Sequence, residues 1–341
     1  MDERELQLWR VGWALMLAFV AAVLVASGVF YGLYRLLHVQ GIRTTARLDA
    51  KTLFDLVKLS FGVVAGAGAL VALVVAYRRQ RVDEVGAHRE ATRLHTERFS
   101  QAVEQLGSDS PAVRLGGVHA LAGLADDAPD DGLRQTCIDV LCAYLQLPFT
   151  PDPGNDPAHQ DEQHRYLASR KVRHTIMRVI GDHFRRPQGT HRSWQGCDLD
   201  LIGVTIDGIM DFSGAVFSGS RVSFDDAVFS GGSVSFDYAV FSNGEVSFDN
   251  AMFSGGRMSF DHGVFSGGEV SFHGVAFRNG GVSFHRAVFS GGRVSFDHGV
   301  FSGSKVSFNG SVGSAPRELL AAVGTPVPTG VYLNPTWLPV P

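Results

Sequence analysis

Residues Val222–Glu245, "VSFDDAVFSGGSVSFDYAVFSNGE", are one twelve-residue phrase written twice. The same phrase starts at Met210 and keeps its period. Its first slot is filled by Val222, Val234, Val246, Met258, Val270, Val282, Val294 and Val306. Two residues on stand Phe224, Phe236, Phe248, Phe260, Phe272, Phe284, Phe296 and Phe308. Five residues after each of these, except the last, comes a second Phe: Phe229, Phe241, Phe253, Phe265, Phe277, Phe289 and Phe301. The first unit supplies Phe212 and Phe217, and a ninth unit breaks off after Asn309.

Spacing sets the geometry. In Val-Ser-Phe the first and third residues share one face of an extended strand, with Ser on the other. Ala-Val-Phe repeats this further on, with Ala and Phe inward. Asp-Asp or Asp-His, and then Ser-Gly-Gly, supply the corners, where glycine tolerates positive φ. A single unit cannot bury two benzyl rings. Stacked coils can, because identical side chains fall above one another in ladders. One unit per turn leaves too little room for two rings. Two units per turn give four short faces of 5, 7, 5 and 7 residues around a Phe-filled interior. Eight units then make about four coils, a rod of roughly 20 Å at the β spacing. Cys197–Gly208, "CDLDLIGVTIDG", offers Leu199, Leu201, Val204 and Ile206 in the inward slots and reads as the first half-coil.

Residues 197–311 resemble the pentapeptide-repeat proteins, whose unit has a central Leu or Phe, a small residue two positions earlier and polar residues outside. Ala215-Val216-Phe217-Ser218-Gly219 and Ala227-Val228-Phe229-Ser230-Gly231 match. Val275-Ala276-Phe277 swaps the small and branched residues, and two extra residues, typically Gly-Gly, interrupt the five-residue period. The resemblance implies a right-handed, quadrilateral β-solenoid over 197–312, capped by residues 313–341. That tail reads as one short helix near 316–323 followed by Pro-rich chain covering the open coil edge.

Ahead of the repeats, Val11–Tyr34 is 24 residues without a charge and Leu59–Tyr77 is 19. Runs of this length suit membrane crossing. They predict transmembrane helices at 11–36 and 59–77, after an N-terminal flank at 1–10 and separated by a loop at 37–58. Ala14, Ala18, Ala22 and Ala26 on the first run, and Gly62 and Gly66 on the second, have the small-residue spacing that lets membrane helices approach, as a hairpin or as a dimer. Arg78, Arg79 and Arg81 favour a cytoplasmic end, but the inter-span loop is basic too, so charge alone does not orient the chain. Three Cys without a disulfide framework point to a reducing compartment. The expected placement is a two-span plasma-membrane protein with a cytoplasmic C-terminal part. This layout resembles the membrane-anchored pentapeptide-repeat proteins of actinobacteria.

The middle is helical. Residues 78–107 read as a juxtamembrane helix, and 108–186 as a helical region with a surface loop at 148–164. Ser110 and Pro111 mark a helix start. Val113, Leu115, Val118, Leu121 and Leu124 form one stripe; Leu133, Cys137, Val140, Leu141 and Tyr144 form another. The two suggest a HEAT-like helical pair. A further helix is read over 165–184, then a linker at 187–196.

Nothing here asks for chemistry. His159, His164, Asp156, Asp161 and Glu162 could meet a cation, but in a polar loop they read as solvated. Cys137 and Cys142, five apart, do not share a helix face as metal ligands would. No phosphate loop, nucleophile elbow, zinc-protease or dinucleotide motif stands in a suitable context. The expectation is therefore no catalytic, cofactor or metal residues, and no small-molecule substrate. The column Asp225, Asp237, Asp249, Asp261 and Asp297 is the candidate interaction face, although such corner residues more often hydrogen-bond their own turn.

Two functions follow as expectations. One is a non-enzymatic, membrane-tethered scaffold presenting a rigid solenoid to an unknown protein partner, with homo-oligomers allowed. The other is imported from the resemblance: an acidic duplex mimic that modulates a type II topoisomerase. Residues 210–312 carry nine acidic and six basic side chains, a net charge of −3, which is thin for a mimic. The mildly acidic chain, −4 overall, argues against direct nucleic-acid binding.

Overall fold

The computed structural model describes residues 50–338 apart from Thr150, Pro151 and Asn155, together with scattered helical positions between 20 and 35. The chain divides into two units, residues 1–90 and 91–341. The apolar run Val11–Tyr34 lies for the most part outside the described residues. The second run falls within helix α1, Ala50–Leu106. That helix begins inside the expected 37–58 loop and does not stop at residue 77. Among the described residues no helix is long and apolar enough to cross a membrane. The span at 59–77, the two-span plasma-membrane placement and the cytoplasmic assignment built on it are corrected accordingly. The run is not a segment by itself: the helix that contains it mixes apolar and charged turns, and Arg78, Arg79, Arg81, Asp83 and Glu84 continue it without a break.

In the second unit the end of α1 is followed by α2 (Pro111–Asp126) and α3 (Asp131–Gln146), two sixteen-residue helices in contact across a four-residue turn. Ser110 stands at the N-cap of α2 without a side-chain cap bond, while Asp130 caps α3 by accepting from Leu133 N at 2.9 Å. Helix α4 spans Gln160–Phe184 and begins five residues earlier than the sequence suggests. Asp156 explains the early start. Its carboxylate accepts from Ala158 N at 2.9 Å, so Pro157–His159 form a turn that feeds the helix. The expected linker is not a linker either. Trp194 is fully buried, stacks on His183 at 4.1 Å, and donates to Asp126 Oδ1 at 3.0 Å.

From Leu199 the chain winds as a β-solenoid of about six turns. Parallel pairing joins residues 24 apart, as in Val222↔Val246, Phe229↔Phe253 and Val240↔Val264, so two units make each turn. Four faces result. One holds three-residue strands such as Arg221–Ser223 and Glu245–Ser247, and the next two-residue strands such as Val228–Phe229. The third holds Ser233–Ser235 and its equivalents, the fourth Val216–Phe217 and its equivalents. The turn count exceeds the expected four because both ends are extended. Leu199 pairs one turn down with Val222 at an offset of 23, and Val331 pairs with Val306 at an offset of 25.

The rings stand in four columns. Phe212, Phe236, Phe260, Phe284 and Phe308 stack with centroids 4.7–5.0 Å apart and planes within 13°. Phe224, Phe248, Phe272 and Phe296 stack at 4.7–5.1 Å on the opposite side. These two columns meet edge to face, as Phe248 and Phe260 do at 6.0 Å and 89°. The second Phe of each unit builds the outer columns, Phe217–Phe241–Phe265–Phe289 and Phe229–Phe253–Phe277–Phe301. Sixteen of the seventeen rings are buried, and Phe301 is partly buried. Where Val275-Ala276 inverts the usual order, Val275 takes the buried inward slot, so the slot accepts bulk.

Both ends of the column are closed. Phe184 of α4 lies on Phe212 at 5.7 Å and on Phe217 at 5.9 Å. At Gly181 a Cβ would sit 2.6 Å from Asp211 O, so only glycine lets α4 lie this close to the first full coil. At the far end Trp337 meets Phe289 and Phe308 edge to face and donates to Gly313 O at 2.9 Å. The short helix α5, Leu319–Val323, buries Leu319 and Val323 beside it.

Phe260 has a ring on both sides in its column and two edge-on neighbours, whereas Phe301 is stacked from one side only. Phe260→Ala is expected to cost about 3–5 kcal/mol and Phe301→Ala about 1–2 kcal/mol. Urea denaturation of the two variants checks the order; equal losses would mean that the columns do not carry the stability.

Candidate interaction surface

Each half-coil turns at the pair of residues after its first Phe. In the turn Phe224-Asp225-Asp226-Ala227, Ala227 N donates to Phe224 O at 3.1 Å and Asp226 has φ of 57°. A positive φ at the third of four residues marks a type II turn, a position that favours glycine or asparagine. Here it is filled by Asp226, Tyr238, Asn250, His262, Arg286 and His298, all with φ between 56° and 60°. Gly214, Gly274 and Gly310 hold the same place in three further turns.

The first residue of the pair faces along the wall. Asp225 Oδ1 accepts from Asp249 N at 2.9 Å and from the Ser247 hydroxyl, both one coil away. Asp237 does the same with Asp261 N and Ser259, Asp249 with His273 N and Ser271, and Asp261 with His285 N and Ser283. All four carboxylates are half-buried. They bridge successive coils rather than closing their own turn, and an oxygen held by two donors is poorly placed to meet a partner. Asp297 differs: it lies 3.5 Å from His273 Nδ1 and 3.7 Å from His298 Nε2, and is half-exposed.

What the solenoid displays is the second residue. Tyr238 is 63% exposed and its ring lies flat on His262 at 4.8 Å, with planes parallel. His285 meets His262 edge to face at 6.2 Å, and Arg286 stands exposed next to it. Tyr238, His262 and Arg286 are 24 residues apart and so form one ridge along the axis. The sequence held a signal for it. Across eight units this slot reads Asp, Tyr, Asn, His, Gly, Arg, His, Gly, whereas the residue before it is Asp in five of the eight. The Asp column expected as the interaction face lies in the wall, and the residue after it is the one turned outward.

A second surface runs along the corner between the fourth and first faces. It is a groove of about 1090 Å³ floored by Gly219, Gly244, Gly268 and Gly292. Its rim carries ion pairs between coils, Arg221 to Glu245 at 3.1 Å and Arg293 to Glu269 at 3.2 Å. Two of these glycines are fixed by crowding: a Cβ on Gly268 would fall 2.5 Å from Gly244 O, and one on Gly244 2.9 Å from Ser220 O. At the diagonal corner the same phrase does something else, because Met252–Ser259 and Ala276–Ser283 run straight through it as single strands.

The remaining sequence candidates are spread out. Cys137 and Cys142 are buried and free, and burial pushes their thiols up to about 11 and about 12. Cys197 is half-buried, with its thiol likewise raised to about 11 by burial. Asp161 and Glu162 sit in the first turn of α4, where the helix dipole favours them. Among the described residues no group of three or more His, Cys, Asp or Glu is placed to hold a metal ion.

No family model matches the chain, and no curated protein matches it. The likeness to pentapeptide-repeat proteins therefore rests on geometry: a β-solenoid with regular Phe stacking, consistent with that kind of fold. Neither membrane anchoring nor an actinobacterial origin has support.

One charged cluster fixes the solenoid to its helical end. Asp207 accepts from Arg170 Nε at 2.8 Å and contacts His174 Nε2 at 3.1 Å. Burial would raise its carboxyl, but the hydrogen bonds and charges of His174 and Arg170 outweigh it and pull the pKa from 3.8 to about 2. A lowered folded pKa adds stability that is complete above the unfolded value and is lost as pH falls toward the folded one. Asp207→Asn is expected to cost about 2 kcal/mol at neutral pH. The gap between wild type and variant should close between pH 5 and pH 2, read as urea midpoints at each pH. A gap that stays constant down to pH 2 would show that Asp207 is not anchoring α4 through its charge.

Proposed function

We propose that the protein is a non-enzymatic scaffold whose β-solenoid holds a rigid ridge of varied side chains against another protein. The observation that carries this reading is the contrast within each turn. The repeated Asp is used up inside the wall, while the varied residue beside it is pushed outward at positive φ. Bulky side chains are costly in that conformation, by about 1–3 kcal/mol. Keeping Tyr238, His262 and Arg286 there, where Gly274 and Gly310 show that glycine serves, favours a role for the side chains themselves. Tyr and Arg are also the residue types that most often anchor protein interfaces. A β-solenoid suits such a scaffold, since repeat stacking yields long surfaces that do not have to be ordered on binding.

The duplex-mimic alternative gains nothing from this arrangement. The carboxylates that would imitate phosphates are half-buried and hydrogen-bonded, and the ridge is aromatic and basic.

Photocrosslinking from position 309 in the native host, an exposed site in the turn one coil beyond Arg286, should yield one discrete adduct. Combining Tyr238→Ser, His262→Ser and Arg286→Ser should abolish that adduct without lowering the urea midpoint. An adduct that survives the triple change would move the interface elsewhere, and none from the wild-type chain would remove the reading.

A further inference from the structure

The helical part of the second unit contains a cavity of about 880 Å³ between the start of α2, the end of α3, the segment following it and α4. Two arginines reach into its lining with unusual partners. Arg173 of α4 is 2% exposed. It donates from Nη1 to Leu145 O at 2.7 Å and from Nη2 to Thr205 O at 3.0 Å, both neutral carbonyls. Its Nε is buried with no partner. Arg114 of α2 gives Nη1 to the Tyr144 hydroxyl at 3.2 Å, and its Nε is likewise buried and unpartnered. Among the described residues neither arginine is in a salt bridge with a carboxylate. Asp207, whose field reaches Arg173, is already held by Arg170 and His174.

Buried cations without an anion are costly, and a fold keeps them either where neutral groups satisfy them fully or where a ligand completes them. Here both guanidinium groups are incompletely satisfied and border the same cavity. The acidic residues of the lining, Asp109 and Glu162, are exposed at its rim, where Arg165 offsets one of them. The inner part is therefore positive.

The rest of the wall is aromatic. Phe149 covers the Arg173 guanidinium at 4.7 Å and lies 5.4 Å from Tyr166, while Tyr144 borders Arg114. The volume falls in the range of small-molecule sites, and guanidinium forks match carboxylates in geometry. We propose that this cavity binds a small aromatic carboxylate, with the carboxylate between Arg114 and Arg173 and the ring against Phe149 and Tyr166. This site is separate from the display ridge and does not depend on the scaffold reading.

Calorimetric titration of the full chain with benzoate, benzylamine and inorganic phosphate tests it. Benzoate should bind saturably, benzylamine should not, and phosphate should bind more weakly than benzoate because it has no ring to place. Arg114→Gln and Arg173→Lys should each weaken benzoate by about tenfold or more, the size of one lost charge-assisted hydrogen bond. If Arg173→Lys does not fold, Arg114→Gln and the benzoate–benzylamine comparison decide. The proposal is overturned by any of four results: no saturable benzoate binding, benzylamine binding as well as benzoate, phosphate binding more tightly, or benzoate affinity unchanged in the folded variants.

Discussion

The structure depends on a coincidence of two lengths. Neighbouring β-strands lie about 4.7–4.9 Å apart, and the Phe rings stack at 4.5–5.2 Å between centroids. A benzyl group on one coil therefore meets its copy on the next at a contact distance, with no adjustment of the backbone. Hydrogen bonds and ring contacts run along the same axis and reinforce each other. The twelve-residue period, doubled to twenty-four, keeps that alignment through turn after turn.

An interior of this kind creates its own difficulty, because every ladder has two ends. An exposed last ring and an unpaired strand edge would invite association with other chains. The chain closes each end with one large aromatic residue on a non-repeating element, Phe184 below and Trp337 above. The helical part is thus more than a neighbour of the solenoid. One continuous core of buried residues runs from Ala102 through Phe184 into the Phe columns, and Arg170, His174 and Asp207 fasten its polar margin.

Repetition also divides labour among side chains. At the positions that bridge coils Asp and Ser predominate, and the wall consumes them. Positions that the wall does not use are free to differ, and these form the displayed ridge. The helical end carries a different feature, two arginines with buried, unpartnered Nε atoms beside an aromatic cavity, which repetition could not have produced.

The sequence by itself determined the solenoid's period and inward slots from strand alternation, and it favoured the two-unit turn, which the pairing of residues 24 apart then decided. It also marked the helices α2, α3 and α4, because their apolar stripes and the start at Pro111 are local signals. Only the tertiary structure decided the rest. Ser230-Gly231-Gly232 separates two strands while Ser254-Gly255-Gly256, one coil on, lies within a single strand, although both read alike in the chain. That Trp194 belongs to the core, that Asp225 and its copies reach the next coil, and that Arg114 of α2 and Arg173 of α4 line one cavity all depend on long-range contacts. The uncharged run at 59–77 likewise proved to be part of a helix from Ala50 to Leu106 that continues through charged turns, because helical backbone hydrogen bonding does not stop where charge begins.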